Sequence, residues 1–202
     1  MKDRAIFIDK DGTLIHDVPF NVAPEKIVLY DDAIDALSRL KQEGFKIIVI
    51  TNQSGVAHGY FQEQELKIVE DTLKRLLNVD SLLLDGFYYC PHSEEGKVKE
   101  YSYPCLCRKP LPGLIYRASE DYTIDLSSSW MIGDILNDVE AGNRAGCNTV
   151  LINNGGETEW KPGAYRSPNI VVSNLLEASD RILDYERQRK VHKEKAENLW
   201  NR

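Results

Sequence analysis

Short apolar runs alternate with longer amphipathic segments along this chain, and no other feature restricts the fold as strongly. The apolar runs predict strands at residues 5–8, 46–50, 86–89, 130–132, 149–152 and 170–172. The segments between them carry apolar residues at helical spacing and predict helices at residues 32–43, 63–77, 113–120, 137–145 and 173–185. Strands that alternate with helices are typical of a parallel sheet covered by helices, so the sequence predicts a three-layer α/β fold.

The length and composition of the chain are typical of one globular domain. With 202 residues, of which 42% are hydrophobic, the chain can bury a single core. We therefore expect one domain over residues 1–185, followed by a charged helical extension over residues 186–202. The formal net charge of −7 argues against a nucleic-acid partner, because phosphate binding needs a basic surface.

No apolar run has the length of a membrane span, and the N-terminal residues are charged and followed by only a short apolar run. Neither a membrane anchor nor a secretory signal is therefore expected. The sequence predicts a soluble cytoplasmic protein, in a compartment where disulfides rarely persist. We expect it to act as a monomer.

Polar residues follow three of the predicted strands directly. Asp9 follows the strand at 5–8, Thr51 and Asn52 follow the strand at 46–50, and Gly133 and Asp134 follow the strand at 130–132. The carboxyl ends of parallel strands meet at one edge of the sheet, where ligands bind in open α/β folds. The sequence therefore predicts one site that gathers these side chains.

The first of these strand ends carries two carboxylates in the stretch "DKDGT". Asp9 and Asp11 point the same way in an extended chain, and Gly12 lets the backbone turn sharply after them. Two carboxylates held this close repel each other and need a cation. Mg²⁺ is the natural candidate because it takes oxygen ligands, and Asp134 would supply a further carboxylate.

Four short motifs occur in one order along the chain: "DKDGT", "ITN", "RKP" and "GDILND". Together they resemble the four motifs of the haloacid dehalogenase superfamily, whose phosphatase members work through an aspartyl phosphate on a Rossmann-like sheet. The resemblance implies that Asp9 is the nucleophile and that Asp11 is the general acid and base. It also implies that Thr51 and Lys109 hold the phosphoryl group that is transferred.

The same resemblance implies the composition of the magnesium site. The ligands would be the Asp9 side chain, the Asp11 backbone carbonyl and Asp134, while Asp138 would help to orient them. The spacing of the motifs leaves no room for a large cap domain, so the fold would be a haloacid dehalogenase fold with a minimal cap.

A second group of candidate metal ligands lies in the stretch from residue 90 to residue 107. Cys90, His92, Cys105 and Cys107 supply four soft or borderline ligands, which suits a closed, structural Zn²⁺ site. A disulfide and a set of unrelated buried thiols are the alternatives. Cys147 enters a predicted strand and is expected to be a core residue.

The zinc loop, with "YYCPH" and "CLCRKP", and the stretch "TNQSG" resemble one branch of the superfamily. This branch contains the D-glycero-D-manno-heptose 1,7-bisphosphate phosphatases and the related histidinol-phosphate phosphatases. The stretches "TNQSGVAHGYF", "DGFYYCPH" and "RKPLPG" are more similar to the heptose enzymes. The implied reaction removes the C7 phosphate of the bisphosphate, on the route to lipopolysaccharide or S-layer heptose.

By this resemblance a small phosphorylated sugar is the partner. Its binding residues would be Asn52, Gln53, Ser54 and Arg108, with Arg108 reading the distal phosphate or the sugar. The segment at 17–21 would contact the substrate, mainly through its backbone. Three residues differ from those usual in the family, namely Lys10, His58 and Ile135.

Several other functions remain open at this point. A histidinol-phosphate phosphatase, or another small sugar-phosphate phosphatase, would use the same residues. Phosphotransfer to an acceptor other than water would use them as well. A binding module stabilised by zinc that has lost catalysis would show a broken catalytic set, whereas all of Asp9, Asp11, Thr51, Lys109 and Asp134 are present.

Overall fold

The strands form a single parallel sheet in the computed structural model, which describes residues 2–78 and 82–200, with residues 193–200 described as helical backbone only. The strands are β1 Arg4–Ile8, β2 Phe45–Asn52, β3 Gly86–Cys90, β4 Trp130–Gly133, β5 Asn148–Ile152 and β6 Ile170–Val172. They pair in the order β3-β2-β1-β4-β5-β6, and every pairing is parallel. The predicted three-layer α/β fold is confirmed.

Helices cover both faces of this sheet. They are α1 Ala33–Gln42, α2 Gly55–His58, α3 Leu66–Leu77, α4 Gly113–Asp121, α5 Leu136–Ala145 and α6 Leu175–Trp200. Buried residues of α1, α3 and α6 pack on one face of the sheet, and those of α4 and α5 pack on the other. Each helix therefore buries its apolar stripe against the sheet, as the spacing of its apolar residues requires.

The central strand β1 shows why the apolar runs have no polar alternation. Ile6 and Ile8 belong to the core on the α1 side of the sheet, whereas Ala5 and Phe7 belong to the core on the α4 side. All four side chains are fully buried. A strand covered on both faces must be apolar at every position, which is the pattern of residues 5–8.

The strand order places a crevice beside the end of β1. The chain winds from β1 outward through β2 to β3 on one side, and from β4 through β5 to β6 on the other. The order reverses between β1 and β4, and ligands bind at such a point in open α/β sheets. Asp9 follows β1 and Asp134 follows β4, so both residues lie at this crevice.

Two elements differ clearly from the prediction. The predicted helix at 63–77 begins with the 3-10 turn Glu63–Glu65, and the short helix α2 was not predicted because four residues carry too little periodicity. Helix α6 continues to Trp200 and so includes residues 186–200 of the predicted helical extension, and Glu186 on it is buried, with a carboxylate oxygen 2.8 Å from the Arg4 guanidinium.

Among the described residues, no helix combines the length and the apolar character that crossing a membrane would require.

Candidate active site

A buried lysine lies between two carboxylates at the end of β1. Lys109 Nζ lies 2.5 Å from Asp9 Oδ1 and 2.6 Å from Asp138 Oδ1, and it donates to the carbonyl oxygen of Ile50 at 2.9 Å. Lys109, Asp9 and Asp138 are all buried. Residues 9, 109 and 138 are far apart in sequence, and the sheet brings them together as the motif order predicts.

The third carboxylate, Asp134, sits beside this group. Asp134 Oδ1 accepts a hydrogen bond from Thr13 Oγ1 at 3.0 Å, and Asp9, Asp134 and Asp138 have oxygens within 4.8 Å of one another. A Cβ at Gly12 or Gly156 would lie 2.4 or 2.0 Å from Asp134 Oδ2. Glycine at these two positions therefore lets the backbone approach the carboxylate from two sides.

The carboxylates outnumber the cation that neutralises them. Burial raises the pKa of Asp9 to about 7, an effect that Lys109 opposes and that Asp138 and Asp11 reinforce. Burial and the neighbouring Asp9 likewise raise the pKa of Asp134 to about 6. Burial also raises the pKa of Asp138. Although burial opposes the charge of Lys109, Asp138 and Asp9 raise the pKa of its ammonium, so the lysine stays charged.

This arrangement fits a divalent cation. One ammonium group faces three carboxylates, so two negative charges are left without a partner when all three are ionised. Carboxylate oxygens are hard ligands of the kind that Mg²⁺ prefers. Asp9 and Asp134 line the cavity above this group and Asp138 is not among its lining residues, so Asp9 and Asp134 are the carboxylates that would hold an ion within reach of a substrate.

The second carboxylate of the "DKDGT" stretch is oriented by its neighbours. Asp11 Oδ1 is paired with the ammonium of Lys10, which is itself buried, and Asp11 Oδ2 accepts from Gln53 Nε2 at 3.0 Å. The same amide nitrogen donates to Thr51 Oγ1 at 2.8 Å. Because Gln53 occupies the acceptor side of the Thr51 hydroxyl, the hydroxyl hydrogen of Thr51 is left to donate elsewhere.

Two adjoining cavities open above these residues. The first, which we call the reaction cavity, has a volume of about 390 Å³ and is lined by Asp9, Asp11, Thr51, Lys109 and Asp134 among others. The second, which we call the side cavity, has a volume of about 270 Å³ and is lined in part by Gln53, Ser54 and the segment at 17–21. Asp11, Asp17 and Asn52 line both cavities, so the two lie side by side.

The Cys/His cluster predicted for the zinc loop is assembled in the structure. Its four ligand atoms lie within 4.8 Å of one another, and the closest pair, Cys90 Sγ and Cys107 Sγ, are 3.1 Å apart. No pair of sulfurs lies at the disulfide distance of about 2.05 Å, and all four cysteines are free. Tetrahedral zinc would place sulfurs about 3.8 Å apart, so a small outward movement of these side chains would admit the ion.

The surroundings of the cluster also suit a metal. Hydrogen-bonding contacts with Cys90, Cys105 and His92 lower the pKa of Cys107 to about 5, although burial opposes this. His92 turns Nδ1 toward the sulfurs, and its Nε2 lies 2.7 Å from Tyr103 Oη. A hydrogen bond to the ring nitrogen that faces away from the metal fixes the orientation of a ligating imidazole.

The cluster is joined to the buried lysine by a short stretch of chain. Cys107 is followed by Arg108 and Lys109, and the Asn52 side chain bonds both the backbone N–H and the carbonyl of Lys109, at 3.0 and 3.1 Å. This reciprocal pair ties the exit of the zinc loop to the end of β2. The loop thereby delivers Lys109 to the reaction cavity.

Of the predicted substrate-binding residues, Ser54 lies at a cavity and Arg108 does not. Ser54 lines the side cavity. The guanidinium of Arg108 instead donates to the carbonyl oxygen of His92 at 3.1 Å, and Arg108 is not among the residues that line either cavity.

Three residues of the reaction cavity were missed by the sequence reasoning. Asn154 and Gly156 belong to the turn after β5, and Asn154 Nδ2 donates to the carbonyl of Gly12 at 2.7 Å. The signal was available, because "NNGG" follows a predicted strand just as "DKDG" does. Tyr30 also lines this cavity, and nothing in its local sequence marks it.

The chain is similar to known proteins in sequence and in structure. Residues 106–178 match the sequence profile of the family described as HAD-hydrolase-like. The chain is 40% identical over 179 residues to the D-glycero-beta-D-manno-heptose-1,7-bisphosphate 7-phosphatase of Escherichia coli (strain K12). The matched region covers 88% of this chain and 93% of that protein. It is 39% identical over 152 residues to the protein of the same name from Yersinia pestis. That match covers 75% of this chain and 81% of the Yersinia pestis protein.

A solved structure shows the same likeness. The crystal structure of D,D-heptose 1,7-bisphosphate phosphatase from B. bronchiseptica, complexed with magnesium and phosphate, superposes with a TM-score of 0.72. The match has 28% sequence identity and covers 90% of this chain and 99% of that chain.

Proposed function

Because the chain belongs to the haloacid dehalogenase-like hydrolases, in the group of the D-glycero-D-manno-heptose-1,7-bisphosphate 7-phosphatases, we propose that it removes the C7 phosphate of that bisphosphate and leaves the C1 phosphate in place. The chain is a phosphoric monoester hydrolase. The structural observation that supports phosphoryl chemistry is the buried Lys109 ammonium, which lies against Asp9 in the lining of the reaction cavity and against Asp138 behind it. The choice of substrate is supported by the similarity to the named heptose bisphosphate phosphatases. We further propose that the enzyme acts as a monomer in the cytoplasm.

Asp9 is the proposed nucleophile. Its Oδ1 is held by the Lys109 ammonium at 2.5 Å, which fixes the carboxylate and leaves Oδ2 for attack on phosphorus. The new bond from Asp9 to phosphorus forms as the bond from phosphorus to the sugar oxygen breaks, giving an aspartyl phosphate. When bound by Asp9, Asp134 and the Asp11 carbonyl, Mg²⁺ would neutralise charge on the phosphoryl oxygens.

Asp11 is the proposed general acid and base. Its carboxyl group lines both cavities, which places it between the phosphoryl group and the remainder of the substrate. Asp11 gives its proton to the departing sugar oxygen, and the resulting carboxylate then removes a proton from the water that attacks phosphorus. The second step releases inorganic phosphate and restores the Asp9 carboxylate.

Thr51 and Lys109 are proposed to hold the phosphoryl group during both steps. The Thr51 hydroxyl keeps its hydrogen for a phosphoryl oxygen because Gln53 donates to its oxygen. The Lys109 ammonium adds a fixed positive charge in a buried site, where it is worth more than in water. Arg108 donates to the His92 carbonyl through Nη1, so its other guanidinium donors are the ones proposed to bind the distal phosphate.

The substrate is tested by a comparison of kcat/KM for the heptose bisphosphate, histidinol phosphate and other sugar phosphates, with the position of cleavage read by ³¹P NMR. We expect the heptose bisphosphate to have the highest value and the sugar product to retain its C1 phosphate. A higher kcat/KM for histidinol phosphate, or release of the C1 phosphate, would contradict the proposed substrate.

Removal of Mg²⁺ is expected to abolish turnover without unfolding the protein. The carboxylate site is needed for the phosphoryl chemistry, whereas the zinc loop is proposed to be the structural metal site. Dialysis that removes Mg²⁺ and leaves protein-bound zinc in place should give no measurable phosphate release and a change in melting temperature of only a few degrees. Activity that depends on added Zn²⁺ and ignores Mg²⁺ would contradict this assignment.

Mg²⁺ binding is expected to weaken as the pH falls. Asp9 and Asp134, with pKa values of about 7 and about 6, must be deprotonated to bind the ion. Between pH 8 and pH 5.5 protons compete with the metal, so the apparent affinity should fall about ten- to a hundredfold. Isothermal titration calorimetry at both pH values, in buffers of different ionisation enthalpy, would measure this fall and the released protons.

The raised pKa values of Asp9 and Asp134 also predict how the stability of the metal-free protein depends on pH. Because their folded-state pKa values are raised, Asp9 and Asp134 bind more protons in the folded state than in the unfolded state between about pH 4 and pH 7. Their contribution to the free energy of unfolding therefore falls as the pH rises through this window. An affinity for Mg²⁺ that is equal at pH 5.5 and pH 8 would overturn the pKa assignment.

A further inference from the structure

The side cavity is where the non-reacting part of a substrate would extend. A phosphoryl group held by Asp9 and Lys109 would occupy the end of the reaction cavity near these two residues, and the substrate could extend past Asp11 and Asn52 toward the side cavity. With a volume of about 270 Å³, the side cavity is large enough for several carbon atoms and their hydroxyl groups.

The charges that line the side cavity favour a neutral occupant. Among the described residues of its lining, the one cation is Lys10, and its ammonium is paired with Asp11. Asp17 adds a second carboxylate without a further cation in the lining. A second phosphate group would therefore be repelled here, whereas an uncharged polyol would not.

The rest of the lining has the chemistry of a sugar site. Asn21, Gln53 and Ser54 offer hydrogen-bonding groups. Two aromatic rings, Phe20 and Phe61, supply apolar surface, and Phe61 is buried against Gly55, where a Cβ would lie 2.2 Å from its Cε1. Sugar carbons present apolar C–H faces between hydroxyl groups, so a mixed lining of this kind matches them.

Phe20 differs from Phe61 because it is exposed and held by other aromatic rings. Its side chain is 48% exposed, and its ring stacks on Tyr60 with a centroid distance of 4.4 Å. His58 lies edge-on to Phe20 at 5.9 Å and tilted against Tyr60 at 5.9 Å. The three rings form what we call the aromatic rim of the side cavity.

The backbone at Phe20 supports a functional reason for its position. Its φ of 54° lies in the left-handed region, which a bulky side chain rarely adopts. Asn or Gly would occupy this turn at lower cost. Among the described residues, Thr123 and Trp160 also have a positive φ, but of the three only Phe20 lines the side cavity, and backbone outliers cluster at binding sites.

We propose that the Phe20 ring packs against uncharged carbons of the sugar, and that Tyr60 positions this ring. The contact would give the enzyme its preference for sugar phosphates over small phosphate esters. The inference rests on the proposed function and deepens it, because it assigns the neutral part of the substrate to the side cavity. Tyr60 acts through Phe20 and does not line the cavity itself.

The test measures the ratio of kcat/KM for the sugar bisphosphate to kcat/KM for ethyl phosphate, a small phosphate ester that has no sugar. Phe20→Asn removes the ring and suits the backbone at φ 54°. We expect this ratio to fall about three- to tenfold, mainly through a higher KM for the sugar, which is the loss of one aromatic contact. Tyr60→Ala should also lower this ratio. Tyr60→Phe keeps the ring, so it should keep the wild-type ratio.

The matched control is Tyr116→Ala. The exposed fraction of Tyr116 is 43%, compared with 59% for Tyr60. Tyr116 lies on α4 and does not line either cavity. The control should leave the ratio unchanged. Melting temperatures of all variants separate loss of the contact from loss of the fold.

The possible outcomes decide between the inference and the proposed function. The inference is overturned if Phe20→Asn keeps the wild-type ratio. It is also overturned if Tyr60→Phe lowers the ratio as much as Tyr60→Ala does. If a different sugar phosphate proves to be the best substrate, the proposed substrate is wrong, and the inference is judged on that sugar. If no sugar phosphate is cleaved better than ethyl phosphate, both the inference and the proposed substrate are contradicted.

Discussion

Asp9→Asn is expected to abolish phosphatase activity while leaving the fold intact. The amide cannot form an acyl phosphate, and loss of a nucleophile lowers kcat by about 10⁴-fold or more. The Asn oxygen can still accept from Lys109, and one of the three buried carboxylates loses its charge. The melting temperature of the metal-free protein should therefore stay the same or rise.

The control for this variant is Asp35→Asn, which removes a carboxylate from the exposed surface of α1. It should keep wild-type kcat and Mg²⁺ affinity. Steady-state phosphate release and thermal unfolding, measured on the same preparations, separate catalysis from stability. Residual activity of Asp9→Asn within a hundredfold of wild type would show that another group attacks phosphorus.

Cys107→Ser is expected to cause the largest loss of stability. Cys107 Sγ lies at the centre of the Cys/His cluster, 3.1 Å from Cys90 Sγ and 3.2 Å from Cys105 Sγ and from His92 Nδ1. A structural metal contributes its binding free energy to folding, so loss of one ligand should cost about 3 kcal/mol or more. For a chain of this size that is a fall in melting temperature of about 6–12 °C.

The activity of Cys107→Ser should fall as a consequence of this loss of order. Lys109 lies two residues beyond Cys107 and depends on the zinc loop for its position, so the loosened loop should raise KM and lower kcat together. Zinc content by elemental analysis and thermal unfolding would be measured in parallel. Cys147→Ala is the matched control, because Cys147 is a buried thiol outside the cluster, and it should keep full zinc content. Full zinc content and unchanged stability in Cys107→Ser would contradict the structural role.

The layers of the fold follow from local sequence signals. The runs at 5–8 and 46–50 are apolar at nearly every position, as a strand buried on both faces requires, and they became β1 and β2. The sequence predicts a helical extension over residues 186–202, but it could not show that Glu186 is buried on α6. Its late turns are charged, and the buried pair of Arg4 and Glu186 that holds one of them joins residues 182 positions apart.

The candidate site was predictable to the extent that strand ends and motifs mark it. Asp9, Thr51, Lys109 and Asp134 meet as expected, because parallel strands bring their carboxyl ends to one edge. The direction of the Arg108 guanidinium depends on a carbonyl supplied by the folded zinc loop, and no local pattern encodes that contact.

The aromatic rim illustrates the same limit. Phe20 lies 38 positions before His58 and 40 positions before Tyr60, and single aromatic residues in loops carry no periodic signal. Only the fold places the three rings together beside the side cavity.

The central claim is that Asp9 carries the phosphoryl group between the sugar and water. A rapid acid quench of a single turnover of the heptose bisphosphate, followed by proteolysis and mass spectrometry, measures this directly. We predict one phosphoryl group on the peptide that contains Asp9, only when Mg²⁺ is present, together with a sugar product that retains its C1 phosphate. A phosphoryl group on another residue, or phosphate release with unmodified Asp9 at every quench time, would contradict the claim.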